Sequence, residues 1–165
     1  LDPNPPRYVA RGYAYGKKGE SGRAIEDCTK AIGLDPNSAS SYEVRGEAYS
    51  DKGDWDRAIE DYTKAIGLGP KDAADYRRRG DAYSKKGERD RAIEDYSQAI
   101  RLDGKNAAFW NSRCWARAIG GHLEQALSGC NKSLDLEPND ANARDSRAFV
   151  YLKWANSKMR SRTTI

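Results

Sequence analysis

Few side chains in this chain could do covalent or metal chemistry. There is one histidine and there are three cysteines. His122 has no Cys, Asp or second His at ligand spacing and reads as a surface residue in a turn. The sequence contains no phosphate loop, no nucleophile elbow and no paired His, and its Asp and Glu residues are scattered as solubility requires. This predicts a protein that is not an enzyme, with no catalytic residues, no cofactor and no metal. The most regular chemistry is ionic. Arg11, Arg45, Arg79, Arg113 and Arg147 form an evenly spaced ladder. It can be read as a track for phosphate or an acidic partner. It can also be read as structural ion pairs with Asp27, Asp61 and Asp95, and that is the reading adopted; Gly129 breaks the pairing opposite Arg113.

The ladder follows from an internal repeat, which has to be sought before anything else because it decides the fold. Tyr8, Tyr42 and Tyr76 fall 34 residues apart, each opening Tyr-x-x-Arg-Gly-x-Ala-Tyr. Arg23-Ala24-Ile25-Glu26-Asp27, Arg57-Ala58-Ile59-Glu60-Asp61 and Arg91-Ala92-Ile93-Glu94-Asp95 recur in the same way. Each unit closes on a Leu and a turn, at Leu34, Leu68, Leu102 and Leu136. The apolar spacing predicts two amphipathic helices per unit, for example over about 39–52 and about 55–67. Gly19, Gly53, Gly87 and Gly121 end the first helices, and Pro70 follows a second. Gly46 and Ala58 are small where helices must approach, while Tyr42, Tyr49 and Tyr62 fill the wider gaps. No unit can bury its apolar face alone, so stacked neighbours must share a continuous core.

This pattern resembles the tetratricopeptide-repeat (TPR) family, and its wording is similar to bacterial TPR proteins. The resemblance covers about nine tenths of the chain. It implies an all-α, right-handed solenoid of antiparallel helix pairs, with four full repeats at 5–38, 39–72, 73–106 and 107–140 and the first helix of a fifth at 141–153. Residues 1–4 read as the end of a preceding repeat, so the parent protein is expected to extend upstream. Repeat four departs most, with Cys114 for the usual Gly and Ser133 for Ala. Cys114 and Cys130 fall on inward faces of its two helices, either as a disulfide or, as favoured, as two small buried thiols. Cys28 replaces a core Tyr.

Residues 154–165 match no repeat. Restoring one base ahead of Trp154, with suitable synonymous codons, turns them into Leu-Gly-Glu-Phe-Lys-Asp-Ala-Ile-Ala-Asp-Tyr-Asp, a well-formed second helix in register. A shifted reading frame is the expectation. Lys158, Arg160 and Arg162 in this tail supply three of the four net positive charges. The chain's basic character, pI about 8.9, then says little about partners. An unpartnered last helix invites self-association.

The resemblance also implies where ligands bind. First helices of TPR arrays line a concave groove, which here places Val9, Tyr13, Glu43, Glu47, Arg77, Asp81, Asn111, Trp115, Asp145 and Phe149 along it. Trp115 and Phe149 occupy the same place in successive repeats and should lie side by side as an aromatic anchor for a peptide side chain. Some TPR domains grip a C-terminal carboxylate with Lys, Asn, Asn, Lys and Arg. The matching places here hold Val9, Tyr13, Val44, Ala74 and Arg78, and only Arg78 fits. The expected function is a non-enzymatic protein-interaction scaffold binding a peptide or helix in the groove. The alternatives are a structural or self-assembling array and, less favoured because acidic residues are interspersed, a nucleic-acid-binding repeat. No apolar run approaches the roughly 20 residues needed to cross a bilayer, and mean hydropathy is −0.95. A cytoplasmic location is favoured, with periplasmic or secreted as alternatives.

Overall fold

Helix boundaries follow local chemistry. Asn4, Asp54, Asp72 and Asn106 each cap a helix N-terminus by accepting a backbone N–H with the side chain. Gly19, Gly53, Gly87 and Gly121 follow first helices at φ of 75°, 74°, 83° and 87°, a left-handed turn that a side chain would resist. A computed structural model describes residues 4–69 and 72–162. The described residues form α-helices and no strand: α1 Pro5–Lys17, α2 Ser21–Leu34, α3 Ala39–Asp51, α4 Trp55–Leu68, α5 Ala73–Lys86, α6 Arg89–Leu102, α7 Ala107–Ile119, α8 Leu123–Leu136 and α9 Ala141–Arg162. Pro70 and residues 1–3 lie outside the described residues.

The chain divides into two compact units, Leu1–Gly87 and Glu88–Ile165. In the first, α1 packs on α2, α3 on α4, and each hairpin on the next helix. Ala24, Cys28, Ala31, Ala58, Tyr62 and Ala65 on α2 and α4 are buried. A Cβ on Gly46 would sit 2.9 Å from Tyr62 Cε1, so the aromatic ring lies where only glycine leaves room. The same place in the first hairpin pairs Gly12 with Cys28, whose thiol burial pushes up to about 12. Cys28 is therefore a core residue and not a nucleophile.

In the second unit α7 packs on α8, and α9 packs on both. Cys114, Ala118, Ala126, Cys130 and Val150 form its core, flanked by Leu123, Leu127, Phe149 and Trp154. Ser133 is buried in place of the expected Ala, and its hydroxyl donates to the Ala107 carbonyl at 2.9 Å, so the buried hydroxyl is satisfied. The sequence pattern ends the first helix of the fifth repeat at 153, whereas α9 continues without a break to Arg162. The reason is local. Ala155 stands in the register of the four turn glycines, and an L-residue there has no preference for the left-handed conformation.

Candidate protein-binding surfaces

The arginine ladder is a set of structural brackets. Arg11 donates to Asp27 at 2.5 and 2.7 Å, and Arg45 to Asp61 at 2.8 Å through both Nε and Nη2. These are bidentate, charge-assisted pairs joining the two helices of a hairpin. The Arg11 hydrogen bond holds Asp27 below the usual carboxylate range, against the opposing effect of burial. An arm of each arginine after Arg11 reaches the preceding hairpin: Arg45 donates to Thr29, Arg79 to Thr63, Arg113 to Ser97 and Arg147 to Asn131. Opposite Gly129 the pairing is lost, as expected. Arg113 Nε is buried with no hydrogen-bond partner, and burial, with Arg117 adding to it, lowers the guanidinium to about 10.

In the first unit, Val9, Tyr13 and Val44 line an apolar depression of about 360 Å³, with Pro5 and Pro6 at its end. A smaller one beside it, about 220 Å³, is lined by Tyr13, Val44, Lys17 and Glu47. Tyr13 is 49% exposed. The Lys17 ammonium lies 4.9 Å from the Tyr13 ring centroid and 3.4 Å from Glu47. Arg77 and Asp81 pair with each other along α5 at 2.6 Å. Glu43 does not stand alone on a solvated face: its carboxyl converges with Asp72 and Asp75, one oxygen of each within 4.8 Å of the others. Asp75 is 1% exposed and accepts from Arg78 at 2.8 Å.

This carboxyl cluster has a pH consequence. Burial first, then Asp75 and Asp72, raises Glu43 above its ordinary value, with Arg78 opposing. Burial and Asp72 likewise raise Asp75. Both groups bind protons more readily in the folded chain than in the unfolded one. Stability therefore falls as pH rises through their raised values. Glu43→Gln removes one charge from the cluster. We expect a higher urea midpoint than the parent at pH 7, with the gap closing toward about pH 4, the ordinary carboxylate range. A gap that widens toward low pH would show the opposite sign.

In the second unit, Trp115 and Phe149 come together as expected, with ring centroids 4.8 Å apart and planes tilted 35°. Trp115 is 40% exposed, while Phe149 is half-buried against the core of the unit, so the pair joins the core to the surface. Asn111 lies one turn before Trp115, and its Oδ1 is buried without a hydrogen-bond partner. Asp145, one turn before Phe149, is exposed. The expectation of two free thiols is overturned: Cys114 and Cys130 form a disulfide, with Cα atoms 5.4 Å apart. Cys114 stands at the glycine place and Cys130 at the tyrosine place, so the sulfurs meet where elsewhere a ring covers a glycine. His122 is exposed at the N-terminus of α8.

A tetratricopeptide-repeat profile matches residues 5–38, and a TPR-repeat profile matches 46–87 and 80–113. The chain belongs to the tetratricopeptide-repeat family. Its fold class is the all-α TPR solenoid. The crystal structure of MamA protein aligns with a TM-score of 0.82 and 25% identity, covering 89% of this chain and 80% of that one. The second TPR domain of human RPAP3, solved by NMR in complex with the HSP70 peptide SGPTIEEVD, aligns at 0.67 and 32% identity, covering 68% and 94%. The first TPR of Spaghetti (RPAP3), bound to the HSP90 peptide SRMEEVD, aligns at 0.68 and 26% identity, covering 71% and 93%. No curated protein sequence matches this chain.

Within this TPR chain, the first-helix positions are not uniform. Val9, Tyr13 and Val44 make an apolar depression. Arg78, the one place that fits a carboxylate clamp, is tied to Asp75. Lys17, Asp72 and Asp75 were absent from the sequence-based groove residues. Asp75 and Arg78, three apart on one helix, could have been read as a pair; the approach of Glu43 could not. No helix among the described residues is long and apolar enough to cross a membrane.

Proposed function

We propose that this chain is a non-enzymatic protein-interaction module that takes a peptide or a short helix on its first-helix faces, anchored by Trp115 and Phe149. The observation that carries the reading is the pair itself: two aromatic rings 4.8 Å apart, one of them 40% exposed. A preformed aromatic pair with one exposed ring is costly to leave against water and suits an apolar side chain of a ligand. In the first unit, the apolar lining around Tyr13 independently suits an apolar side chain. The first-helix residues proposed to contribute are Tyr13, Glu43, Glu47, Arg77 and Asp81 on the first unit and Asn111, Trp115, Asp145 and Phe149 on the second, each unit by itself. The peptide-bound RPAP3 domains support an interaction role, but not the same ligand. Val9, Tyr13, Val44 and Ala74 supply none of the polar groups a carboxylate grip needs.

The test is a peptide library displayed against the folded chain, followed by titration of the selected binders. Trp115→Ala should weaken them by about 30-fold, equivalent to roughly 2 kcal/mol for an aromatic hot spot. The peptide SGPTIEEVD, included as a control, should show no carboxylate-dependent binding. Selected binders indifferent to Trp115→Ala, or tight binding of SGPTIEEVD lost on amidating its C-terminus, would show the site to be wrong.

A further inference from the structure

Among the described residues, no second helix packs on the outer face of α9. In the hairpins described above, a first helix presents an Arg and then a small residue to its own second helix. Arg11 and Gly12 meet Asp27 and Cys28; Arg45 and Gly46 meet Asp61 and Tyr62. Gly12, Gly46 and Cys114 are all buried by that contact. The same register in α9 holds Arg147 and Ala148, and Ala148 is exposed. Tyr151 and Leu152, one turn on, are 53% and 60% exposed, and Met159 is 59% exposed. With Ala155 they form one apolar stripe at helical spacing. The opposite face of α9, with Ala143, Ser146 and Val150, is buried against α7 and α8.

Arg147 shows what the stripe lacks. It keeps the arm that reaches the preceding hairpin, donating to Asn131 at 3.3 Å. Its other edge, which in Arg11 and Arg45 holds a carboxylate bidentately, has no acidic partner among the described residues. Lys153 offers no substitute, because its ammonium is spent on the Ala118 and Ile119 carbonyls at the end of α7. With Ala155 in the register of the turn glycines, α9 runs on to Arg162 where the other first helices turn back.

We propose that this face binds, in trans, an amphipathic helix bearing Asp followed by a large residue such as Tyr, with the Asp on Arg147 and the ring over Ala148. The chain's own hairpins supply the pattern: Asp61-Tyr62 on α4 is a working copy of the ligand. The one-base restoration of residues 154–165 would present the same Asp-Tyr pair in register. This face is separate from the Trp115 surface, and its test does not depend on that reading.

The probe is a capped, fluorophore-labelled peptide spanning residues 54–68, titrated into the full chain by anisotropy. Saturable binding is expected, weakened at least tenfold by Arg147→Ala and abolished by Leu152→Asp. A peptide carrying Asp61→Lys should fail against the parent chain and recover against Arg147→Glu. Both protein positions are away from the buried face of α9, and circular dichroism checks that each variant is folded. Absence of saturable binding, or binding unchanged by Arg147→Ala and Leu152→Asp, would overturn the proposal. So would a concentration-dependent dimer in sedimentation that Leu152→Asp dissolves, since the face would then be covered by a second copy.

Discussion

Replacing Gly129 with aspartate should raise the unfolding free energy by about 2 kcal/mol, the worth of a charge-assisted bidentate pair plus a few tenths for removing a helix-interior glycine. The place is open. A Cβ on Gly129 would meet Cys114 Cβ and the Trp110 carbonyl at 3.5 Å, ordinary contact. Its partner is waiting, since Arg113 Nε is buried and unmet. The corresponding carboxylates of Asp27 and Asp61 already hold Arg11 and Arg45. Urea unfolding of Gly129→Asp gives the gain directly. A double-mutant cycle with Arg113→Met assigns it: the gain should vanish in that background. A gain that survives there would belong to helix propensity alone, and a loss would mean that the aspartate cannot reach the guanidinium.

Reducing the Cys114–Cys130 disulfide should cost about 3 kcal/mol, the loop-closure entropy of a closed loop this short, given a sequence separation of 16. The bond also ties together the cluster on which Phe149 packs, so reduction loosens the underside of the aromatic pair. The check compares denaturant unfolding with and without reductant, alongside the Cys114→Ser, Cys130→Ser double variant. The variant should match the reduced protein and ignore reductant. Equal stability with and without reductant in the parent would show that the hairpin gains nothing from the bond.

Much of the helical architecture could be read from the sequence because the same physical devices recur in each repeat. A left-handed glycine ends a first helix, and a small residue faces a large one across the hairpin. The lost carboxylate partner of Arg113 was legible as well, because Gly129 interrupts a column of aspartates. The side-by-side placement of Trp115 and Phe149 followed from their equal register in successive repeats. What escaped depends on distances between helices. Two inward cysteines become a disulfide only if packing brings their Cα atoms within reach, and their spacing along the chain does not say that it does. The Glu43, Asp72 and Asp75 cluster joins α3 to the start of α5, a contact that no single-helix periodicity reports. The run of α9 past residue 153 was misread because the tail was judged by its mismatch to the repeat. The decisive residue was Ala155, which has no reason to turn.

Arg45 has two arms, one on Asp61 within its own hairpin and one on Thr29 in the hairpin before it. In a quasi-one-dimensional array, stability is the sum of what each repeat contributes and what each junction contributes. One guanidinium therefore enters both sums at once. Melting of a hairpin removes its aspartate grip and slackens the joint behind it in the same event. Within the first compact unit, opening should then proceed in hairpin-sized steps instead of residue-by-residue fraying. Amide exchange would record this as plateaus of equal protection, each as long as one helix pair.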